Sequence, residues 1–266
     1  MDSVDLEPRA TRATRSPAIA WSLAAFVTGL VFLSILASDS NDVGWAGVAL
    51  LGLVEGITEY LPVSSTGHLA AITELVWPGT TTESLDSYLI VIQAGAILAV
   101  LGLYWRRFKD IAVGLVSGGA GRRIALGLLV AFIPAALAGL VLGDVIKDRL
   151  FALVPIAAAW IAGGLVILWV EYRARLRGAD PLETIELRRA GLIGLVQVLA
   201  LWPGTSRSLA TIVGGRLAGL STAAAVEFSF LLGSVTLLAA SVYEGAGNFD
   251  GIISDIRLGR HRSDWR

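Results

Sequence analysis

The 266-residue chain contains no cysteine. Disulfides, thiolate nucleophiles and Cys-ligated zinc are therefore excluded. Charge is scarce too. Only 16% of residues are Asp, Glu, Lys or Arg, against about a quarter in soluble domains. The formal net charge is −1, so no global field favours nucleic acid. A phosphate loop of the Gly-x-x-x-x-Gly-Lys type is missing. There are two histidines and one methionine, so any chemistry that needs imidazole has few places to sit.

Apolar residues fill the space these absences leave. They make up 55% of the chain, mean hydropathy is +0.71, and they come in runs. Runs of roughly 18 or more apolar residues read as transmembrane helices. The pattern predicts an all-α polytopic membrane protein, with polar tails at 1–17 and 243–266 and one transmembrane domain over 18–242. Ala18–Leu36 reads as a retained helix, being longer than a signal-peptide core and lacking a clear cleavage site. Spans are expected at Tyr88–Trp105, Ile124–Leu142, Leu153–Val170 and Ala223–Val242. Two apolar stretches are broken. Val43–Trp77 is interrupted by Glu55, Thr58, Glu59 and Pro62, and Ala190–Leu220 by Pro203. Each reads as a re-entrant helix pair.

Arginines set the orientation. Arg106, Arg107, Lys109, Arg122 and Arg123 lie between two spans, and Arg173, Arg175, Arg177, Arg188 and Arg189 follow the next two. Together with Arg9, Arg12 and Arg15 they fall on one side, assigned to the cytoplasm. The broken stretches also echo each other. Leu51-Gly-Leu-Val54 matches Ile193-Gly-Leu-Val196, and Pro62-Val-Ser-Ser65 matches Pro203-Gly-Thr-Ser206. Three spans separate them, so the second copy would be inverted. Paired broken helices in inverted halves place a site near the midplane, built from half-helix ends. The alternative is chance similarity of Leu/Gly/Val-rich text.

The densest polar cluster runs from Glu55 to His68. Glu55 and Glu59 are i, i+4 and share a helical face. A charged carboxylate at membrane depth costs about 2.5–3.5 kcal/mol on insertion scales. A pair that costs this much is expected to hold a hard divalent cation, or to move protons with one carboxyl neutral. Ser64, Ser65 and Thr66 follow Pro62 and suit the N-terminus of the next half-helix. Such a terminus accommodates phosphate. His68 is a candidate acid/base or nucleophile; a lone histidine is otherwise an ordinary core residue. The second cluster is Pro203-Gly-Thr-Ser206-Arg207-Ser208-Leu-Ala-Thr211. Arg207 either snorkels or binds an anion bidentately. Its hydroxyl neighbours Ser206 and Ser208 favour the anion. One half-site is acidic with a histidine and the other basic, as a metal–diphosphate complex would require.

These two motifs resemble the undecaprenyl-diphosphatase (bacitracin-resistance) family. The acid-x-x-x-Glu segment running into Pro-Val-Ser-Ser-Thr-Gly-His stands complete from Glu55 to His68, and Pro-Gly-x-Ser-Arg-Ser-x-x-Thr from Pro203 to Thr211. Tyr88-Leu-Ile-Val-Ile-Gln93-Ala-Gly95 and Glu227-Phe-Ser-Phe-Leu-Leu232 are similar to further family segments, and the resemblance covers roughly Val43–Leu238. It implies hydrolysis of undecaprenyl diphosphate to undecaprenyl phosphate, which returns the lipid carrier to cell-wall synthesis. It also implies Mg2+ or Ca2+ as cofactor and a bacterial cell membrane location, with the site open to the extracytoplasmic side. Glu55, Glu59, Ser65, His68 and Arg207 carry over as catalytic, the glutamates also as metal ligands. Ser64, Thr66, Ser206, Ser208 and Thr211 are expected to bind substrate. The partners are then a polyprenyl diphosphate lipid and the bilayer, with no nucleic acid; a homo-oligomer is left open. The family ordinarily continues for two helices beyond Ala223–Val242, so the second repeat reads as incomplete. The rival readings are a lipid-phosphate flippase, which needs no nucleophile, and a catalytically silent member.

Overall fold

A computed structural model of the chain describes residues 45–78, 86–150, 152–174 and 180–247. The expected helix Ala18–Leu36 and both outer tails beyond these bounds lie outside the described residues. Nine α-helices are found among the described residues: α1 Trp45–Thr58, α2 Ser65–Val76, α3 Asp86–Leu103, α4 Trp105–Ser117, α5 Gly119–Leu150, α6 Leu153–Ala174, α7 Leu187–Gln197, α8 Arg207–Leu217 and α9 Thr222–Gly247. Short 3-10 turns precede and follow α7, at Leu182–Thr184 and Val198–Leu201. There is no sheet among the described residues, only an isolated bridge between Asp180 and Leu220.

Three stretches are long and apolar enough to cross a bilayer: Gly119–Gly143, Leu153–Val170 and Thr222–Tyr243. At 1.5 Å per residue each covers most or all of a hydrocarbon core about 30 Å thick. The apolar stretches Ala46–Thr58 and Ile92–Leu103 are shorter. Ile92–Leu103 belongs to α3, which occupies the place of the expected span Tyr88–Trp105 but stops at Leu103. The outward faces are oily. On α6, Val154, Ile161, Leu165, Leu168 and Trp169 are exposed, as side chains facing lipid would be. The protein is therefore an all-α polytopic membrane protein.

The basic segment after α3 departs from the sequence pattern. Its charges suggest a loop, yet Arg106, Arg107 and Lys109 lie on helix α4. The apolar face of α4 carries the buried Ile111, and Phe108 packs against the core. Gly118 and Gly119, at φ 85° and 75°, turn the chain back into α5. The two helices then cross closely: a Cβ on Gly114 would lie 2.6 Å from the Gly121 Cα. Gly143–Leu150, a mixed loop by its sequence, continues α5 to its end.

The main core joins α5, α7 and α9 through Ile124, Leu128, Ala131, Ile193, Ala225, Phe228 and Leu232. A smaller cluster joins α1 to α2 through Leu50, Leu51, Val54 and Leu69. Arg107 ties the basic end together. Its Nη2 bonds Glu183 Oε1 at 2.5 Å, and its Nε lies 2.6 Å from Glu227 Oε1 as an ion pair. Arg189 reaches Asp180 at 2.6 Å, beside the backbone bonds Asp180 N to Gly219 O and Ser221 N to Asp180 O.

Candidate active site

Each broken stretch does what its breakers dictate. After α1 the chain turns over residues 59–63 and restarts at Ser65. Ser64 is the N-cap: its Oγ accepts from Gly67 N at 3.3 Å. It adopts φ 66° and ψ 97°, a region that costs a non-glycine residue about 1–3 kcal/mol and that clusters at functional sites. In the second stretch α7 tightens into a 3-10 turn, Gly204 takes φ 90°, and Ser206 caps α8 by accepting from Leu209 N at 3.2 Å.

The two breaks meet. Arg207 Nη2 bonds Glu59 Oε1 at 2.6 Å, and the pair is largely buried, with side-chain exposures of 13% and 8%. The other Glu59 oxygen accepts from the Ser65 hydroxyl. Glu59 thus joins the N-terminus of α2 to that of α8. A second strut runs beside it. Leu61 O, freed by the first break, accepts from Ser208 Oγ at 2.7 Å and Ser206 Oγ at 3.4 Å. Pairing makes the burial of these groups tolerable, because an unpartnered buried charge would cost several kcal/mol.

His68 lies one turn into α2, partly buried. Its Nδ1 is 2.8 Å from Ser64 O. A carbonyl only accepts, so Nδ1 carries the hydrogen and Nε2 of the neutral ring is left as an acceptor. Trp160 of α6 covers the ring, with centroids 5.1 Å apart. Gly67 makes that approach feasible, since a Cβ there would stand 2.7 Å from the indole.

The remaining expected residues are distributed around this centre. Glu55 is buried one turn before Glu59 and faces it and Ser65. Its Oε2 has no hydrogen-bond partner among the described residues, and the same holds for Arg207 Nη1. Thr66 is exposed at the start of α2. Thr211 is wholly buried, and its hydroxyl is bonded to Arg207 O at 2.9 Å and Ser229 Oγ at 2.7 Å. It braces α8 against α9. Sequence reasoning does not single out Trp160, Ser229 or Tyr60, whose hydroxyl donates to Ala96 O at 3.0 Å. Trp160 and Ser229 lie in apolar text, where only a contact in space marks them, and Tyr60 lies inside the polar cluster Glu55–His68 among more conspicuous neighbours.

Depth follows from the packing. Trp202 Nε1 donates to Pro155 O at 3.2 Å, and Gly204 faces Ile156. Both partners belong to the first turn of α6. Arg173 lies in the last turn of α6, at its other end, so the second break lies toward the face opposite that basic end.

For a divalent cation the donor set is short. No group of three or more His, Asp or Glu that could hold a metal occurs among the described residues. The unpartnered Glu55 Oε2 and the carboxylate pair nevertheless fit an ion held by one or two carboxylates and completed by substrate phosphates.

The chain is similar to proteins of a known family. A family model described as bacitracin resistance protein BacA matches residues 48–258. The undecaprenyl-diphosphatase 1 of Chromobacterium violaceum is 48% identical over 206 residues, 77% of this chain and 76% of that protein. The undecaprenyl-diphosphatase 2 of Rhodospirillum rubrum is 50% identical over 199 residues, 74% and 71% of the two chains. The undecaprenyl-diphosphatase of Methylococcus capsulatus is 46% identical over 200 residues, 75% and 72%.

Proposed function

The chain belongs to the bacitracin resistance protein BacA family, and from that membership and the site geometry we propose that it hydrolyses undecaprenyl diphosphate to undecaprenyl phosphate and inorganic phosphate. The observation that carries this reading is the Ser65–Glu59–Arg207 chain of hydrogen bonds. It has the form of an activated nucleophile: a hydroxyl, a base within reach, and a third group that orients the base.

Arg207 and the N-termini of α2 and α8 converge on one place, where they suit the diphosphate. Ser65 Oγ attacks the terminal phosphorus while its proton passes to Glu59. The bond from phosphorus to the bridging oxygen breaks, and undecaprenyl phosphate leaves. Water then hydrolyses the phosphoserine to inorganic phosphate, its proton passing to His68 Nε2 while Glu59 returns its proton to the leaving Ser65 Oγ. Trp160 and the Ser64 carbonyl hold the imidazole for that step. Glu55, with Glu59, would hold Mg2+ or Ca2+. Such an ion neutralises phosphate charge and raises electrophilicity at phosphorus. The protein is a multi-pass protein of the bacterial cell membrane, with its site toward the extracytoplasmic side, and it returns carrier lipid to cell-wall synthesis.

The test is phosphate release from undecaprenyl diphosphate by the full chain in detergent, with Mg2+ or Ca2+ and with a chelator, beside His68→Ala. Metal-dependent release that the variant lowers by about 10²–10⁴-fold is expected for an acid/base residue. A monodisperse, folded chain that releases no phosphate would overturn the proposal.

A further inference from the structure

Behind the two breaks runs α9, and Arg207 leans on it in an unusual way. A Cβ built on Gly233 would stand 1.7 Å from Arg207 Nη1, 2.7 Å from its Cζ and 2.9 Å from its Nη2. The guanidinium therefore occupies the space that a side chain at position 233 would take. It lies against the α9 backbone, inside a helix where glycine is otherwise unfavourable. The same face of α9 makes the neighbouring contacts. Ser229, one turn before Gly233, bonds Thr211 of α8 at 2.7 Å. Phe230 meets Tyr60, next to Glu59, edge-to-face at 5.1 Å. Residues 229, 230 and 233 are i, i+1 and i+4, so Ser229 and Gly233 share one stripe and Phe230 stands beside it.

We propose that Gly233 is a positioning residue for the phosphate-binding arginine. The notch takes the Nη1 edge of the guanidinium, which is buried there without a hydrogen-bond partner among the described residues, and so holds Nη2 on Glu59 where the two breaks meet. The assignment of phosphate binding to Arg207 rests on the function proposed above; the seat itself rests on geometry alone. Glycine has no other evident use here. Its φ is negative, so alanine fits the backbone, and the atom a methyl would displace is the tip of a flexible side chain. Gly233→Ala should thus fold, with Arg207 pushed off its seat.

The test compares Gly233→Ala with Gly164→Ala in the full chain in detergent. Gly164 lies on α6, and a Cβ there meets nothing within 4 Å. Gly233→Ala is expected to lower kcat/KM for undecaprenyl diphosphate by about 10²-fold, the scale of a misplacement of about 1 Å, whereas Gly164→Ala leaves it unchanged. Against an Arg207→Lys background, whose slimmer ammonium clears the methyl, Gly233→Ala should add little further loss. Thermal midpoints supply a readout independent of catalysis. In an Arg207→Ala background Gly233→Ala should raise the midpoint, since alanine favours helix. With Arg207 present it should raise it less or lower it. Equal midpoint shifts in both backgrounds, or an unchanged kcat/KM in an active enzyme, would overturn the seat. A wild-type chain that releases no phosphate, with unequal midpoint shifts, would overturn the function and leave the seat standing.

Discussion

The two breaks solve the same backbone problem with different residues. Each stops one helix, exposes carbonyls, and starts another helix under a serine cap. Each also needs one residue at positive φ. The second break assigns that position to Gly204, at no conformational cost. The first assigns it to Ser64, which must bear the strain. What the first break gains is chemistry. Ser64 caps α2 with its hydroxyl and holds His68 with its carbonyl, and glycine would supply only the second contact. The second break is a relaxed scaffold with one charge set on it. The difference locates the moving protons at the first break and the fixed positive charge at the second.

That division can be broken at its strongest point first. Arg207→Ala should reduce phosphate release by about 10³-fold or more, the scale of an arginine that stabilises transferring phosphoryl charge. It should also destabilise the fold by about 3–5 kcal/mol, because Glu59 is left buried and unpaired. Steady-state rates and a thermal melt measure both. Lysine should restore much of the stability and little of the rate, since it lacks the planar fork.

Next comes the scaffold. Gly204→Ala forces a side chain into positive φ and drives a methyl to 2.7 Å from Ile156 O. A loss of about 1–3 kcal/mol of stability is expected from the strain alone, seen as a lowered melting midpoint. The converse change at the first break should be mild. Ser64→Gly relieves strain and weakens a cap by only a few tenths of a kcal/mol, so the midpoint should hardly move. Equal damage at the two positions would erase the contrast.

The smallest effect is expected far from both breaks. Arg107 holds the Glu183 carboxyl below its ordinary value of 4.5. A lowered folded value means that the contribution is complete above that ordinary range and fades as pH falls through the lowered value. The carboxylate is nearly half exposed, so Glu183→Gln should cost less than about 1 kcal/mol. That cost should vanish in melts at acidic pH, and phosphate release should be unaltered.

Much of this was legible in the sequence for a physical reason. Polar groups inside apolar runs stand out, and Pro62, Pro203 and the serines after them mark where helices must stop and restart. Glu59 and Arg207 could therefore be named, and their motifs named the family. The bond between them could not be read, because 148 residues separate them. Helix α4 was hidden by its charges. Arg106, Arg107, Lys109 and Asp110 read as loop although Phe108 and Ile111 already kept a helical interval. Trp160 and Gly233 were invisible for the opposite reason. In an apolar span a tryptophan or a glycine is ordinary text, and only the neighbour across the helix interface gives it meaning.

The central claim is that the two breaks form one site through Glu59 and Arg207. The most direct measurement is a double-mutant cycle in kcat/KM for undecaprenyl diphosphate, using Glu59→Gln, Arg207→Lys and the pair. Groups acting as a unit give losses far from additive, so the double variant should be no slower than the slower single variant. Losses that multiply cleanly would show two independent groups and contradict the account.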